Sequence, residues 1–543
     1  MTPDHWYKNA IIYSLDLETF MDDNGDGVGD FRGLIRRLGY LKALGVDAVW
    51  LAPFQKTPNR DNGYDISDYY SVDPRHGTNG DFAEFMHAAN SMGIRVLIDL
   101  VVNHTSNEHP WFQDARTGPD ARYRDYYVWS KKRPSDWDEG VIFPGVQEAT
   151  WTKDKKANAY YFHRFYDHQP DLNMGNPEVR AEIRRIMGYY LSLGVAGFRV
   201  DAIPFILETQ EPGKTKGRKI RFEYLEEMRS FLQWRRGDAV LLGEANVAPK
   251  DSKKYFGEGG NGLHLMFNFF SNQHLFYSLA SGDVKPLRRA LEATRDKPGA
   301  AQWANFLRNH DELDLGRLTD EQREKVFAEF GPEKNMQLYE RGIRRRLAPM
   351  LGDRAHIELA YSLMFSLPGT PVMRYGDEIG MGDDLSLNER DAVRTPMQWT
   401  DEANSGFSSA KKRDLIHPLI DEGVYDYDRL NVEAQTRQDD SILSWTKRMV
   451  RLRKSCREIG LGEWKIVETG SASSLAIVYE YDGERLVIVH NFAGKPVEVT
   501  LQVDEAPTLV DLVDPVQVPA DGKGRHVLRL GARGYRWFRC RRA

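Results

Sequence analysis

Cysteine is nearly absent from this sequence: Cys456 and Cys540 are the only two in 543 residues. A disulfide framework is thereby excluded, and a reducing compartment fits. No run of residues is long and apolar enough to span a bilayer. Blocks of like charge are missing too, and a net charge of −6 with a pI near 6.2 argues against a nucleic-acid or anionic-membrane partner. There is no internal repeat and no low-complexity tract. The opening stretch, Met1 to Lys8, is polar and runs straight into a strand pattern, without the apolar core of a secretory signal. The expectation is a soluble cytoplasmic protein, and the length implies two or three domains.

What the sequence does contain is alternation of strand and helix patterns. Gly197-Phe198-Arg199-Val200-Asp201 reads as a buried strand ending in a carboxylate, with Arg199 and Asp201 on one side. A helical run, Arg180 to Leu193, precedes it, and Pro204 bars its immediate continuation. Such a pair is either a structural buried ion pair or a functional one. Other strand patterns are Ala10–Leu17, Asp47–Leu51, Arg95–Val101, Ala239–Glu244, His264–Phe269, Gln302–Arg308 and Pro371–Tyr375. Helical patterns include Phe31–Leu44 and Asp81–Met92. Eight strands with polar groups at their C-terminal ends predict an α/β fold, a (β/α)8 TIM barrel with its active site at that rim.

Three stretches break the alternation. Residues 105–168 are rich in aromatics without helical period, an insert after strand 3 with structure of its own. Residues 316–353 are highly charged and read as a helical insertion after strand 7. From about Gly460 short alternating strands with the turn Asp482-Gly483-Glu484 predict a C-terminal antiparallel β-sandwich, within residues 456–543. The barrel then takes 1–104 and 169–455.

The strand ends supply Asp99, His104, Arg199, Asp201, Glu244, His310 and Asp311. Separately, Asp22, Asn24, Asp26 and Asp30 place side-chain oxygens in a glycine-rich loop suited to a hard cation, calcium or magnesium. Gly33 stands where an EF-hand would need a bidentate Glu, so the loop is of another kind, or a plain set of Asx turns.

Asp99-Leu-Val-Val-Asn-His104, Gly197 to Asp201, Gly243-Glu244-Ala and Asn309-His310-Asp311 resemble four short motifs of the α-amylase family of glycoside hydrolases and transferases, and Gln169-Pro-Asp-Leu-Asn173 resembles a fifth. The resemblance spans most of the chain. It implies a retaining enzyme with Asp201 as nucleophile, Glu244 as general acid/base and Asp311 as the carboxylate that grips sugar hydroxyls. Arg199 should keep Asp201 ionised, and His104 and His310 should donate to the sugar. Tyr64 and Asp61, the latter paired with Arg394, should close the end of a terminal-glucose pocket, giving exo action on short α-glucosides. Implied metal ligands are Asp22, Asn24, Asp26, Val28 and Asp30 for a first calcium. A second would take Asn103, Asp171, Glu208 and the carbonyls of Phe205 and Ile206, unless Asn103 merely caps a loop. No organic cofactor is implied.

Asp201-Ala-Ile-Pro-Phe205, Glu244-Ala-Asn246, Phe306 to Glu312, Gly342 to Pro349 and Gly380-Met-Gly382 are similar to the branch that interconverts maltose and trehalose. Residues 209–218 depart from that branch, so an exo-acting α-glucosidase or another α-glucosyltransferase stays open, and more remotely a non-catalytic sugar-binding protein. The expected partner is a disaccharide, with a homo-oligomer possible.

Overall fold

The structure, a computed structural model, describes residues 5–211, 214–503 and 506–541. Eight parallel strands close into a barrel: β1 (Ile12–Leu15), β2 (Ala48–Leu51), β3 (Arg95–Leu100), β4 (Gly197–Val200), β5 (Val240–Gly243), β6 (Leu265–Phe267), β7 (Gln302–Phe306) and β8 (Thr370–Arg374). Each lies inside the bounds expected from sequence or within a residue of them. The order around the barrel is β1-β2-β3-β4-β5-β6-β7-β8, with β8 pairing back to β1. Inward-facing Ile12, Trp50, Leu97, Leu242, Leu265, Phe267 and Val372 fill the interior, so the barrel is a packed core and not a pore.

Helices cover the outside because their apolar residues recur on one face. In α1 (Phe31–Leu44) Phe31, Leu34, Leu38 and Leu41 are buried, Asp30 caps the start by accepting from the Gly33 N–H, and Gly45 ends the helix at φ 95°. In α2 (Asn79–Ser91) Thr78 and Asp81 form a reciprocal capping box. A helix spanning Pro177–Ser192 leads into β4. Gly197 opens β4 where a Cβ would stand 2.3 Å from the Val240 carbonyl oxygen, so only glycine lets β4 and β5 approach this closely.

Residues 105–168 fold into a helix, Pro110–Ala115, and a three-stranded sheet, Trp129–Ser130, Ala159–Phe162 and Trp151–Asp154, with the last strand at one edge. The stretch 316–353 differs from the helical reading. Only Asp320–Phe330 and the short Leu347–Leu351 are α-helical, while Gln337–Leu338 and Gly342–Ile343 join Leu313–Asp314 in a three-stranded sheet. The charge that suggested helix throughout is spent on side-chain bridges such as Arg341 to Asp314 and Arg345 to Asp383. The departing stretch is a hairpin, Glu208–Glu211 against Lys214–Ile220, of which Pro212 and Gly213 lie outside the described residues.

Beyond Glu463 a six-stranded antiparallel sheet faces the pair Val497–Gln502 and Arg525–Leu530 across a shared apolar core. Asp482 and Gly483, both with φ above 50°, make the tight turn between Ser474–Tyr481 and Glu484–Asn491. No helix among the described residues is long and apolar enough to cross a membrane.

Candidate active site

A cavity of about 440 Å³ lies at the C-terminal rim of the barrel, lined among others by Asp61, Tyr64, His104, Asp201, Glu244, His310 and Asp311. Strand periodicity turns Asp99 and Arg199 inward, and Arg199 is 1% exposed. Its Nη1 donates to Asp99 Oδ1 (2.6 Å) and Asp201 Oδ1 (2.5 Å), and its Nη2 to Glu244 Oε1 (2.8 Å). One guanidinium thus ties three carboxylates, with Asp99 behind the cavity and the other two on its wall. Trp50 Nε1 donates to the second Asp99 oxygen at 2.8 Å. Ala202, next to Asp201, sits at φ 49° and its N–H donates to Glu244 Oε2 at 3.1 Å, so a left-handed residue links the two carboxyl-bearing strand ends.

Burial sets the electrostatics. It pushes Asp201 up to about 6, against the pull of Arg199 and with a further push from Asp99. From sequence Arg199 is expected to keep Asp201 ionised by lowering its pKa; it does pull in that direction, but desolvation outweighs the cation. Burial likewise pushes Glu244 up to about 7, opposed by Arg199 and reinforced by Asp201 and Asp311. Asp311 goes the other way. Burial opposes its ionisation, yet Arg390, His310, Arg394 and Arg199 together hold it well below the usual carboxylate range. Three carboxyl groups in one cavity thus divide into one held ionised and two poised near neutrality.

Arg394 donates from Nη2 to Asp311 Oδ1 (3.4 Å) and from Nε to the His310 carbonyl (2.9 Å). Asp61 instead accepts from Gln169 Nε2 (2.7 Å), so the expected Asp61–Arg394 pair is not formed. The physical reason is competition, since Asp311 lies between Arg390 and Arg394 and takes both. Tyr64 stacks on His310 with ring centroids 5.4 Å apart and its hydroxyl is 2.8 Å from His310 Nε2. Burial keeps His310 and His104 neutral, pushing them down to about 3 and about 4. His104 Nε2 lies 3.1 Å from the Tyr64 carbonyl, so its N–H holds the loop in this state and not a ligand.

From sequence the aromatic insert (105–168) and the charged one (316–353) are the natural lid parts, but the residues that join them into a roof are not legible there. Phe143 from the first insert stacks on Tyr166 at 4.9 Å and leans on Tyr339 of the second insertion at 4.8 Å. The hydroxyls of Tyr166 and Tyr339 both donate to Glu389 Oε2, at 2.9 and 2.7 Å, and Arg341 donates to the Ile142 carbonyl at 3.0 Å. Next to Glu389, Arg390 lies over the rings of Phe143 and Tyr339 while its Nη1 reaches Asp311 (3.0 Å) and its Nε Glu312 (2.7 Å). Tyr339, Glu340 and Glu389 all have φ between 42° and 61°. Non-glycine residues so placed are strained, and such strain collects at lids and clamps. These contacts join segments far apart in sequence, and no spacing rule could have found them. The outer cavity wall carries Asn246, which donates to Asp314 (2.7 Å) and accepts from Arg317 (3.2 Å), with Phe165, Phe205 and Val247 beside it.

The cation loop is held by its own amides. Asp22 accepts from Gly25 and Gly27, Asn24 from Asp26, and Asp26 from Val28, while Asp30 serves as the cap of α1 and takes the Asp23 and Asn24 amides. Asp22 Oδ1 and the Asp26 oxygens keep a lone pair beyond these bonds, whereas Asp22 Oδ2 also accepts from the Ser408 hydroxyl and Asp30 is otherwise employed. The oxygens of Asp22, Asn24, Asp26 and Val28 are donors of the type a hard cation takes, though among the described residues no three acidic or histidine side chains converge as they would on a bound ion. In the second set, Asp171, Phe205 and Glu208 line one small cavity with Arg164, whose guanidinium bonds Glu208 at 2.9 Å and lies over the Phe205 ring. A fixed cation already answers that carboxylate. Ile206 is buried behind, and Asn103 stands beside His104 with its amide 3.3 Å from Nδ1.

An eight-stranded parallel barrel with this rim of carboxylates and histidines defines a carbohydrate-active class, and comparison with known proteins agrees. Residues 16–462 match the catalytic domain of alpha amylase and residues 483–539 the C-terminal domain of sucrose hydrolase-like proteins. The chain belongs to the α-amylase family of enzymes. It is 40% identical to trehalose synthase/amylase TreS of Mycolicibacterium smegmatis, over 99% of this chain and 93% of that one, and 42% identical to trehalose synthase of Pimelobacter sp., over 98% and 96%. It is 31% identical to oligo-1,6-glucosidase of Bacillus cereus, over 94% of each chain. Among solved structures, a trehalulose synthase MutB variant in complex with the substrate sucrose aligns at a TM-score of 0.78 with 25% identity, over 99% of both chains.

Proposed function

We propose that this enzyme is a retaining α-glucosyl-transferring isomerase that converts maltose to trehalose through a covalent glucosyl-enzyme. Asp201 attacks the anomeric carbon, and Glu244 protonates the departing oxygen and later takes a proton from the incoming one. Two carboxylates gripped by neighbouring nitrogens of Arg199 suit the short spacing, roughly 5 Å, that a covalent route needs. Asp311, held ionised by Arg390 and Arg394, grips the hydroxyls of the bound glucose. Tyr64 and His310 supply the stacked wall beneath it.

Isomerase and hydrolase share the first half-reaction. They part at the second, where either the retained glucose or water attacks. The observation that carries the isomerase reading is the roof, in which Phe143, Tyr166, Tyr339, Glu389 and Arg390 close three loops over Asp311. A closed aromatic roof retains the released sugar and excludes bulk water. The likeness to trehalose synthases over nearly the whole chain supports it. Asn246, Asp314 and Arg317 are the polar groups positioned to hold the retained glucose while it turns.

The test is incubation with maltose followed by separation of trehalose from free glucose. Trehalose as main product is expected. Glucose alone would assign the chain to exo-acting α-glucosidases, and neither product from maltose or sucrose would leave only sugar binding. We further propose calcium at Asp22, Asn24, Asp26 and Val28. At Asn103, Asp171 and Glu208 an ion would have to compete with Arg164.

A further inference from the structure

Residues 344–346 are three consecutive arginines, and they are not employed alike. Arg345 bonds Asp383 (3.3 Å) and Arg346 bonds Asp377 (3.1 Å), so a carboxylate answers each. Arg344 is 9% exposed and pairs with no carboxylate among the described residues. Its guanidinium goes to four backbone carbonyls instead. Nε donates to Asn335 (2.6 Å), Nη1 to Leu387 (2.5 Å) and Glu389 (3.2 Å), and Nη2 to Leu385 (3.0 Å).

Burying a cation without a carboxylate beside it is costly, so the reason for an arginine here lies in its shape. The carbonyls of Leu385, Leu387 and Glu389 come from alternate residues of one loop, which the Asp384 N–H closes on the Ala392 carbonyl at 2.9 Å. That loop curls around the guanidinium. Asn335 belongs to a different segment, the hairpin in which Gln337–Leu338 pairs with Gly342–Ile343, and the Arg344 N–H donates to the Met336 carbonyl at its base (2.9 Å). The strained residues of the roof sit on these two segments: Tyr339 and Glu340 at the tip of the hairpin, Glu389 in the loop. Strained backbone persists only where its surroundings over-determine it, and Arg344 grips both pieces.

We infer that Arg344 is a positioning residue for the roof. Its planar fork holds the hairpin and the 384–392 loop at the spacing that lets the Tyr339 hydroxyl reach Glu389 (2.7 Å) and Arg390 reach Asp311 (3.0 Å). A lysine ammonium is a point charge with three donors, and it cannot serve four carbonyls in one plane. Arg344 does not line the catalytic cavity, so it acts through the residues it holds. That the roof selects the acceptor rests on the proposed function; that Arg344 fixes the roof does not.

Hydrogen exchange read by mass spectrometry on the full chain, together with the products formed from maltose, tests this. In Arg344→Ala the amides of 335–341 and 384–392 should exchange about tenfold faster or more, while 197–201 and 240–244 keep their native protection. The trehalose fraction should fall several-fold more than maltose consumption does. Arg344→Lys keeps the charge and most of the volume, and carries the test should Arg344→Ala not fold. It should show both changes to a smaller extent. Native exchange in the two segments would overturn the proposal. So would faster exchange spread evenly through the barrel, the mark of an arginine that only stabilises the fold, or a native product ratio beside loosened segments. A native enzyme that yields glucose alone would remove the isomerase reading, and the exchange in the two segments would still decide whether Arg344 holds the roof.

Discussion

The barrel rim and the roof above it are built on opposite principles. At the rim, backbone register fixes everything: Asp99 and Arg199 face inward because strands alternate, and Asp201 and Glu244 follow directly on β4 and β5. The groups are charged, deeply buried and tied through one guanidinium. In the roof, residues more than 190 positions apart meet through rings and hydroxyls, and Tyr339, Glu340 and Glu389 bear backbone strain. On the proposed function, the rim is a rigid device for breaking and remaking one bond, and the roof a strained, separable closure that decides which acceptor is present when the bond is remade. Chemistry and product choice should therefore be separable by mutation.

The largest effect expected is from the rim. Asp201→Ala should lower turnover by about 10⁴-fold or more, because a covalent route has no substitute for its nucleophile. Maltose should still bind, since Asp311, Tyr64 and His310 remain, and a rate near native would remove Asp201 from the mechanism. Glu244→Gln should cost about 10²- to 10⁴-fold on maltose, and much less on aryl glucosides whose leaving groups need no proton. An equal loss on both would argue against the acid role.

The same two groups set the pH profile. The proposed roles need Asp201 ionised and Glu244 protonated. Activity should fall about tenfold per unit below about 6, as Asp201 gains a proton, and above about 7, as Glu244 loses one. The apparent values belong to the coupled pair, and Glu244→Gln should lack the alkaline limb. A profile flat from 5 to 9 would contradict the electrostatics of the rim.

That contrast also marks how far the sequence could be read. Strand ends are local: Gly197 to Asp201 and Gly243-Glu244 show apolar periodicity interrupted by charge, and the barrel, its eight strands and the rim residues followed from that pattern. The roof is non-local. Nothing around Phe143, Tyr339 or Glu389 signals a partner, because a ring packs equally well in a core. The same blindness produced the Asp61–Arg394 expectation, which ignored that Asp311 would outcompete Asp61 for Arg394. It also produced the helical reading of 316–353, where charge serves tertiary bridges instead of a solvated helix face.

If the roof governs product choice, loosening it should change products before it changes rate. Glu389→Gln keeps the side-chain size but weakens both tyrosine hydrogen bonds, which as bonds to a charged acceptor are worth about 1.5–3 kcal/mol each. Maltose consumption should stay within about threefold of native while the fraction released as glucose rises several-fold. A parallel loss of trehalose and glucose would instead tie Glu389 to the chemistry through its neighbour Arg390 and erase the distinction between rim and roof.

The smallest effect should come from the 22–30 loop, which belongs to neither region. Its contacts run to the 404–416 segment: the Ser408 hydroxyl donates to Asp22 Oδ2 (2.5 Å), Asp22 N–H to the Phe407 carbonyl (3.0 Å) and Ile416 N–H to the Gly27 carbonyl (3.0 Å). None of its side chains lines the catalytic cavity. Calcium bound there at a hundred times its Kd would stabilise the fold by about 2.7 kcal/mol, and in a chain this long that is a shift of only a few degrees in Tm. Chelation should therefore lower Tm slightly and leave the trehalose-to-glucose ratio unchanged, and Asp22→Asn should abolish the response to added calcium. A changed product ratio on chelation would show that the loop reaches the roof, whereas a Tm indifferent to calcium would leave Asp22, Asn24 and Asp26 as a set of Asx turns that needs no ion.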